Sequence, residues 1–330
     1  MEFTNIVQIK TPISRIGLGT WAMGGSLWGG TDKQQSIATI HQALEKGVNF
    51  IDTAPGYGKG EAETLVGEAI KAYGKREEVI IATKVGLNQE SPDKVFRDLR
   101  RNSILKELQD SLNRLQVDYI DLYQAHWPDP KTPISETAET FKEILNQGKI
   151  KAIGLCNFSV EQVEEFRKTV DVHAEQFPFN IFEREAEKTV LSYCLRSGVS
   201  TIGYSGLTRG LLSGKMSKER EFKGDDLRKG MDPKFKDPQF SQYLAAAEAL
   251  KKWVEEKYER PLIALAIRWN MDKGVNIPLW GARTPDQLKD IPTVFDWKLT
   301  EEDFEQIDKI IAEHVKDPVG VEFMEPPVRE

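Results

Sequence analysis

The stretch Asn49-Phe-Ile-Asp-Thr-Ala-Pro-Gly-Tyr-Gly-Lys-Gly-Glu61 decides the fold. Phe50-Ile51 is a short apolar run suited to a buried strand. It stops at Asp52, and a loop punctuated by Pro55, Gly56, Gly58 and Gly60 follows. A carboxylate, Asp52, and a phenol, Tyr57, therefore stand just past the end of a buried strand. From Glu61 to about Lys71, Leu65, Val66, Ala69 and Ile70 predict a helix that anchors the loop from behind. Taken alone, this is equally well a surface βα turn with an incidental tyrosine.

Two further stretches repeat the arrangement. Glu78-Val-Ile-Ile-Ala-Thr-Lys84 reads as a buried strand ending in a lysine. Asp118-Tyr-Ile-Asp-Leu-Tyr-Gln-Ala-His126-Trp-Pro reads as another, ending in a histidine. A lone lysine after a strand is usually solvated, and a lone histidine is more often a hydrogen-bonding core residue. Successive strands that each carry an ionisable group at the same end point instead to a parallel barrel, whose strand ends converge on one catalytic mouth.

Further along come Arg15-Ile-Gly-Leu-Gly-Thr-Trp21, Gly154-Leu-Cys-Asn-Phe158, Leu207-Thr-Arg-Gly-Leu-Leu-Ser-Gly-Lys215 and Trp280-Gly-Ala-Arg283. In order and spacing, over almost its whole length, the chain resembles the aldo-keto reductases. It is most similar to the bacterial soluble reductases related to potassium-channel β subunits. The resemblance implies an eight-stranded (β/α) TIM barrel, with an N-terminal β-hairpin closing its bottom and extra C-terminal helices and loops. It also implies a nicotinamide cofactor bound without the glycine fingerprint of doubly wound dehydrogenases.

Length and composition agree with that picture. At 330 residues the chain suits one large barrel domain spanning 1–330. Lys and Arg number 45 against 52 Asp and Glu, a net charge of −7, which argues against nucleic acid as the main partner. No run of eighteen apolar residues occurs, and the start MEFTNIVQIK does not read as a signal peptide. Cys156 and Cys194 form no disulfide framework, so reduced thiols and a cytoplasmic location are the expectation. The four histidines lie far apart in sequence, and nothing calls for a metal.

Taken in order, the pattern predicts an N-terminal hairpin within residues 1–11, and a first strand at Ile16–Gly19. A long rim loop carrying Trp21 and Trp28 follows, and then a helix capped by Thr31 or Asp32. Strands are expected at 80–84, 119–125, 150–155, 172–176, 200–204 and Asn276–Trp280. The segment from strand 80–84 to about Asn102 reads as a polar excursion, and Gly206–Pro238 as irregular. Helices are expected from Ser103, from Ser135, after Ser159-Val-Glu-Gln162 (a capping-box pattern), at 184–197, 241–258, 261–271 and Thr300–Val315. Eight strands alternating with helices are the signature of a closed parallel barrel.

Carbonyl reduction requires a hydride on carbon and a proton on oxygen, and no side chain supplies the hydride. A phenol can give the proton, but an unperturbed tyrosine titrates near ~10, some ~3 units above neutrality. Closing that gap needs on the order of 4 kcal/mol of differential stabilisation of the phenolate. An adjacent ammonium favours the anion, and a carboxylate can hold the ammonium in place. By resemblance, Tyr57 is the proton donor, Lys84 and Asp52 tune it, and His126 polarises the carbonyl.

The resemblance also assigns the cofactor contacts. Asn157 and Gln176 are expected at the nicotinamide carboxamide, with Cys156 and Asp52 close by, and Tyr204 as the stacking platform. Thr20 and Trp21 border the same region. Ser205, Gly206, Leu207, Arg209, Gly210 and Lys215 form the loop expected over the pyrophosphate, with Arg228 closing from the far side. Gly281, Arg283 and Gln287 are expected at the adenosine 2′-phosphate, where an arginine fork favours NADP(H) over NAD(H). Thr284-Pro-Asp-Gln287 also reads as a capping box, compatible with a phosphate at the same place.

Trp21, Trp28, Tyr57, His126 and Trp127 are the expected substrate pocket for a small-molecule carbonyl. A packing cluster under the rim loop is an equal alternative for Trp21 and Trp28. Cys156 stands where a serine is usual, which raises sensitivity to oxidation as a hypothesis. The tail with Phe323, Met324, Pro326 and Pro327 is a candidate cover for the mouth. Two rival functions remain at this point: a cofactor-bound regulatory or redox-sensing subunit, and a lyase using Lys84 as a Schiff base. No membrane partner is expected, and the oligomeric expectation is a monomer or weak oligomer.

Overall fold

In the computed structural model, which describes residues 1–91 and 94–329, Phe3–Thr4 (β1) pairs antiparallel with Ile13–Ser14 (β2). Gly17–Gly19 (β3), Lys33–Glu45 (α1), Phe50–Asp52 (β4) and Glu61–Tyr73 (α2) follow. Ile80–Val85 (β5) leads through Leu87–Ser91 (β6) and Lys94–Arg97 (β7) into Arg101–Leu115 (α3). Then come Ile120–Ala125 (β8), Ile134–Asn146 (α4), Ile150–Cys156 (β9), Val160–Arg167 (α5), Ala174–Pro178 (β10), Val190–Ser197 (α6) and Ser200–Tyr204 (β11). Gln239–Tyr258 (α7) and Leu262–Asp272 (α8) precede Ile277–Gly281 (β12), and Glu301–His314 (α9) follows it.

Eight strands close on themselves in the order β3-β4-β5-β8-β9-β10-β11-β12, every pair parallel. This is the expected (β/α)8 barrel. Both faces of each strand are covered, so β5 and β8 are buried along their whole length. Their sequences, Ile-Ile-Ala-Thr-Lys-Val and Ile-Asp-Leu-Tyr-Gln-Ala, accordingly lack a solvent-facing alternation. The register sets the functional end. Asp52 stands level with Gly19 and Ala82, Lys84 with Gln124, and Cys156 with Gln176.

The opposite end is closed by the hairpin. Ile6, Ile9 and Ile13 pack with Phe50, Ile80, Leu122, Ala174, Ile202 and Ile277, which plug the barrel interior. A second, larger core lies between strands and helices, with Leu65, Leu112, Phe141, Phe166, Trp269 and Ile307 among its members. Three helix starts follow capping chemistry. Asp32 accepts from the Gln35 N–H, and Ser159 exchanges hydrogen bonds with Gln162 in a complete capping box. Thr300 does the same with Asp303.

Several boundaries differ from expectation. The return strand of the N-terminal hairpin lies beyond Pro12, because Pro12 offers no N–H and the pairing resumes only at Ile13. The polar excursion after β5 contains the antiparallel pair β6–β7, whose alternation is too short and polar to signal a strand. The helix expected at 184–197 is a 3-10 turn at Glu185–Lys188 and then α6, separated at Thr189, whose φ and ψ of −122° and −107° are not helical. The irregular stretch after β11 carries short 3-10 turns at Thr208–Ser213, Leu227–Lys229 and Pro233–Phe235. Among the described residues no helix is long and apolar enough to cross a membrane.

Candidate active site

At the strand C-terminal ends, β4 delivers Asp52, the loop after it Tyr57, β5 Lys84, and the turn after β8 His126. The Lys84 ammonium is fully buried and donates to three oxygens. These are Asp52 Oδ1 at 2.6 Å, the Thr53 carbonyl at 3.0 Å and the Tyr57 hydroxyl at 3.1 Å. The His126 ring centroid lies 6.1 Å from that of Tyr57, edge to face. Asp52 is held by amides as well: Gln176 Nε2 donates to its Oδ2 at 2.9 Å and Gln124 Nε2 at 3.3 Å. Gln124 was not singled out in the sequence. Its signal is a polar residue two positions before His126 on a barrel strand, hence on the same inward side.

Electrostatics assign protonation states. Burial pushes the Tyr57 phenol up to about 12, with Lys84 pulling it down and Asp52 adding to the rise. The expected net acidification of the phenol is therefore not found, because desolvation of the phenolate outweighs one ammonium. Burial alone would lower the Lys84 pKa, but the Asp52 carboxylate and the Tyr57 phenol outweigh it and hold the ammonium protonated. Burial, and then Lys84, keep the His126 imidazole well below its ordinary pKa and neutral, and its buried Nδ1 has no hydrogen-bond partner. The constellation at neutral pH is thus a carboxylate–ammonium pair, a protonated phenol and a neutral imidazole.

These groups open into a cleft of about 550 Å³. Its walls include Thr20, Trp21, Trp28, Asp52, Tyr57, His126, Trp127, Cys156, Asn157 and Gln176. Tyr204, Ser205, Gly206, Leu207, Arg209, Gly210, Lys215, Arg228, Gly281, Arg283 and Gln287 continue it. Lys84 lies behind Tyr57 and Asp52 rather than on the surface of the cleft. Trp21 and Trp28 pack edge to face, 5.3 Å apart, and Trp21 lies 6.1 Å from Tyr57. The two tryptophans are therefore both a packing pair and a wall, and the two alternatives are not exclusive.

Asn157 takes a left-handed φ of 64° at the exit of β9, donates to the His126 carbonyl at 3.0 Å and accepts from the Tyr204 hydroxyl at 2.8 Å. Thr20 Oγ1 donates to the Asp52 carbonyl at 2.9 Å. The Cys156 thiol is buried beside Gln176, and burial keeps it protonated, well above its ordinary pKa, with Lys84 pulling the other way. That state works against the oxidation-sensitivity hypothesis, since the thiolate is the reactive form.

Four cations border the other arm of the cleft in a chain of net charge −7: Lys215, Arg220, Arg228 and Arg283. With the Tyr204 ring and the Asn157 and Gln176 amides, they suit a molecule carrying phosphates at one end and a flat amide-bearing ring at the other. Arg220 and the carboxylate Asp290, which also line the cleft, were not foreseen. Arg209 lines the cleft with its side chain already paired, as Arg228 is with Asp226. Its guanidinium is buried 3.1 Å from Asp232 and 4.0 Å from Glu183, which also pairs with Lys234 at 2.6 Å. Gln287 Oε1 accepts from the backbone N–H groups of Arg283 at 2.6 Å and Thr284 at 3.2 Å, the cap half of its dual reading.

A clasp ties the turn at 27–30, part of the cleft wall, to residues 225–227 and to Arg283. Asp225 accepts from the Leu27 and Gly29 N–H groups at 2.8 and 3.0 Å, and Leu227 N donates to Leu27 O at 3.0 Å. Arg283 donates to the carbonyls of Trp28, at 3.0 Å, and Gly30. The tail reaches the same cleft, since Met324 and Pro326 are part of its wall.

Residues 15–312 match the model of the Aldo/keto reductase family. Aldo-keto reductase YhdN of Bacillus subtilis (strain 168) is 51% identical over 331 residues, covering 100% of this chain and 99% of that protein. The NADH-specific methylglyoxal reductase of Escherichia coli (strain K12) is 33% identical, over 88% of this chain and 92% of its own length. Among solved structures, the glycerol dehydrogenase AKR11B4 from Gluconobacter oxydans superposes with a TM-score of 0.87 at 45% identity, covering 96% of this chain and 97% of that one.

Proposed function

The chain belongs to the aldo/keto reductase family, and on that premise we propose that it reduces aldehydes and ketones to alcohols with NADPH, Tyr57 donating the proton. One observation carries the reading. The Lys84 ammonium bridges the Asp52 carboxylate and the Tyr57 hydroxyl at 2.6 and 3.1 Å, beside a neutral His126 at the mouth of a long cleft.

When bound, the nicotinamide cofactor supplies the hydride. The residues then have separate tasks. A phenol with a raised pKa keeps its proton at neutral pH, which is the state an acid needs. Lys84 stabilises the phenolate left after transfer, and Asp52 holds Lys84 charged and in position. Neutral His126 can donate a hydrogen bond to the carbonyl oxygen without adding a second positive charge beside Lys84. Asn157, Gln176 and Tyr204 are the proposed nicotinamide contacts, and Lys215, Arg220 and Arg228 the phosphate contacts. Arg283, with Gln287 and the turn it caps, is the proposed 2′-phosphate site and the basis for NADPH over NADH. One 33%-identical relative is named as NADH-specific, so the preference for NADPH is argued here from the charge of this chain's own residues. The substrate side is lined by Trp21, Trp28 and Trp127, which suits an apolar carbonyl compound.

The test is parallel fluorescence titration with NADPH and NADH, then turnover of a reactive aldehyde by wild type and Tyr57→Phe. Preferential NADPH binding, with turnover that vanishes in the variant, supports the proposal. Equal binding of both nucleotides would remove the cofactor assignment, and binding without turnover would remove the reductase.

A further inference from the structure

Lys59 stands two residues after Tyr57, in the loop that presents the phenol, and borders the same cleft as Tyr57, Trp21 and Trp127. It is exposed, and among the described residues no carboxylate lies within 4.0 Å of its ammonium. The nearby Glu63 is already taken, paired with Arg114 at 2.6 Å. The cations of the cofactor arm differ in place and in state. Lys215, Arg220, Arg228 and Arg283 come from segments after β11 and β12, and three of them have partners. Arg228 pairs with Asp226 at 2.6 Å, Lys215 faces Asp286 at 3.7 Å, and Arg283 donates to the Trp28 carbonyl at 3.0 Å. Lys59 is thus an uncommitted cation on the loop of the proposed proton donor.

Its backbone is fixed in an unusual way. Lys59 takes a left-handed φ of 57°, between Gly58 at 63° and Gly60 at 89°. Gly58 lies against the backbone of Gly24, and a Cβ on Gly60 would stand 2.5 Å from Arg114 Cδ. Both neighbours are therefore held by contact and cannot shift to relieve the residue between them. Glycine adopts this conformation freely, whereas a lysine is strained in it. Non-glycine residues held in such a conformation concentrate at active sites and ligand clamps.

We propose that Lys59 is a specificity-determining residue that receives an anionic group of the substrate, so that the favoured carbonyl compounds are aldehydes whose apolar body ends in a negative charge. This rests on the reductase reading. Trp21, Trp28 and Trp127 take the apolar body, Tyr57 and His126 the carbonyl oxygen, and Lys59 the far charge. With a net charge of −7 the chain as a whole repels an anion, so a local cation decides whether one is accepted. An ammonium is a compact point charge without the planar fork of a guanidinium, so it reads the sign of the group more than its shape.

The test compares 4-carboxybenzaldehyde with its neutral methyl ester, methyl 4-formylbenzoate, in wild type, Lys59→Gln, Lys59→Glu and Lys59→Arg. All three substitutions are unbranched at Cβ and meet the same backbone. The acid-to-ester ratio of kcat/KM within each protein cancels the intrinsic reactivity of the two aldehydes and any shift of the Tyr57 loop. The ratio should fall about fivefold in Lys59→Gln, through KM for the acid, which is the scale of one exposed ion pair. It should fall by about the same factor again in Lys59→Glu and stay as in wild type in Lys59→Arg. Raising salt from about 0.01 M to about 1 M should lower the wild-type ratio and move that of Lys59→Gln less.

A ratio equal in all four proteins overturns the proposal. So does a ratio that falls as far in Lys59→Arg as in Lys59→Gln, because shape rather than charge would then be responsible. Wild type that turns over neither aldehyde would defeat the reductase reading and the anion site with it. Turnover of both, with a ratio indifferent to the charge at position 59 and to salt, defeats the anion site alone.

Discussion

A Cβ placed on Gly58 would stand 2.0 Å from the carbonyl oxygen of Gly24, and one on Gly24 would stand 2.6 Å from the carbonyl carbon of Tyr57. The two glycines lie backbone against backbone and seat the tryptophan loop on the loop that presents Tyr57. Gly58 also takes a φ of 63°. Gly58→Ala must therefore move the Tyr57 loop, and a displacement near 1 Å costs on the order of 100-fold in rate. The expected outcome is a kcat lower by about that factor with NADPH affinity retained, read from steady-state kinetics and fluorescence titration. Wild-type kcat in Gly58→Ala would show that the contact does not position the phenol.

The raised phenol pKa gives a direction for the reverse reaction. Burial pushes Tyr57 to about 12, so the phenolate that alcohol oxidation needs is scarce at neutral pH. Its population grows about tenfold per pH unit below that value. Oxidation should therefore accelerate with pH into the alkaline range, while aldehyde reduction, which uses the protonated phenol, should not depend on this group there. Oxidation that levels off near pH 7 would place the phenol pKa far lower.

Asp225 fixes the 27–29 turn, part of the cleft wall, by accepting from two backbone N–H groups. Asp225→Ala removes both acceptors while leaving Asp52, Tyr57, Lys84 and His126 untouched. Stopped-flow chase of bound NADPH should show release faster by about tenfold, in keeping with the loss of two charge-assisted bonds at an exposed site. An unchanged release rate would mean that Leu27–Leu227 and Arg283 hold the clasp alone.

Glu107 sits under the exit of β5. Burial raises its carboxyl from 4.5 to about 7, against the pull of the Gly86 N–H and the Ser103 hydroxyl. The folded chain thus binds this proton more tightly than the unfolded chain between those values. Stability contributed by the protonated group is full below about pH 4.5 and is lost as pH rises to about 7, on the order of 3 kcal/mol. Glu107→Gln should flatten that part of the urea-denaturation profile. A profile with the same slope in the variant would assign the loss to other groups.

The Cys156 thiol is held protonated by burial. Mild peroxide should then inactivate wild type and Cys156→Ser at equal rates. Markedly slower inactivation of the variant would restore a redox role for this residue.

Much of the site was legible because a barrel strand announces its own end. Asp52, Lys84 and His126 each close or follow an apolar run, and that spacing places them at one rim before any coordinates are known. The partners of Arg209 were not legible. The resemblance implied a loop over the pyrophosphate, but its ion partners Asp232 and Glu183 come from other segments. Gln124 and Asp225 escaped for a related reason: an amide inside a strand or a carboxylate in a loop has meaning only through the group it faces.

The sequence by itself indicated eight strands alternating with helices, through apolar runs that are local properties of the chain, and its resemblance to a family implied the roles of Asp52, Tyr57, Lys84 and His126. The tertiary structure decided what those groups become when enclosed. It raised the Tyr57 pKa instead of lowering it, paired Arg209 with Asp232, and brought Arg329 onto Asp129 across 200 positions of sequence. Desolvation and long-range ion pairing depend on what surrounds a side chain, and the chain's order does not state that.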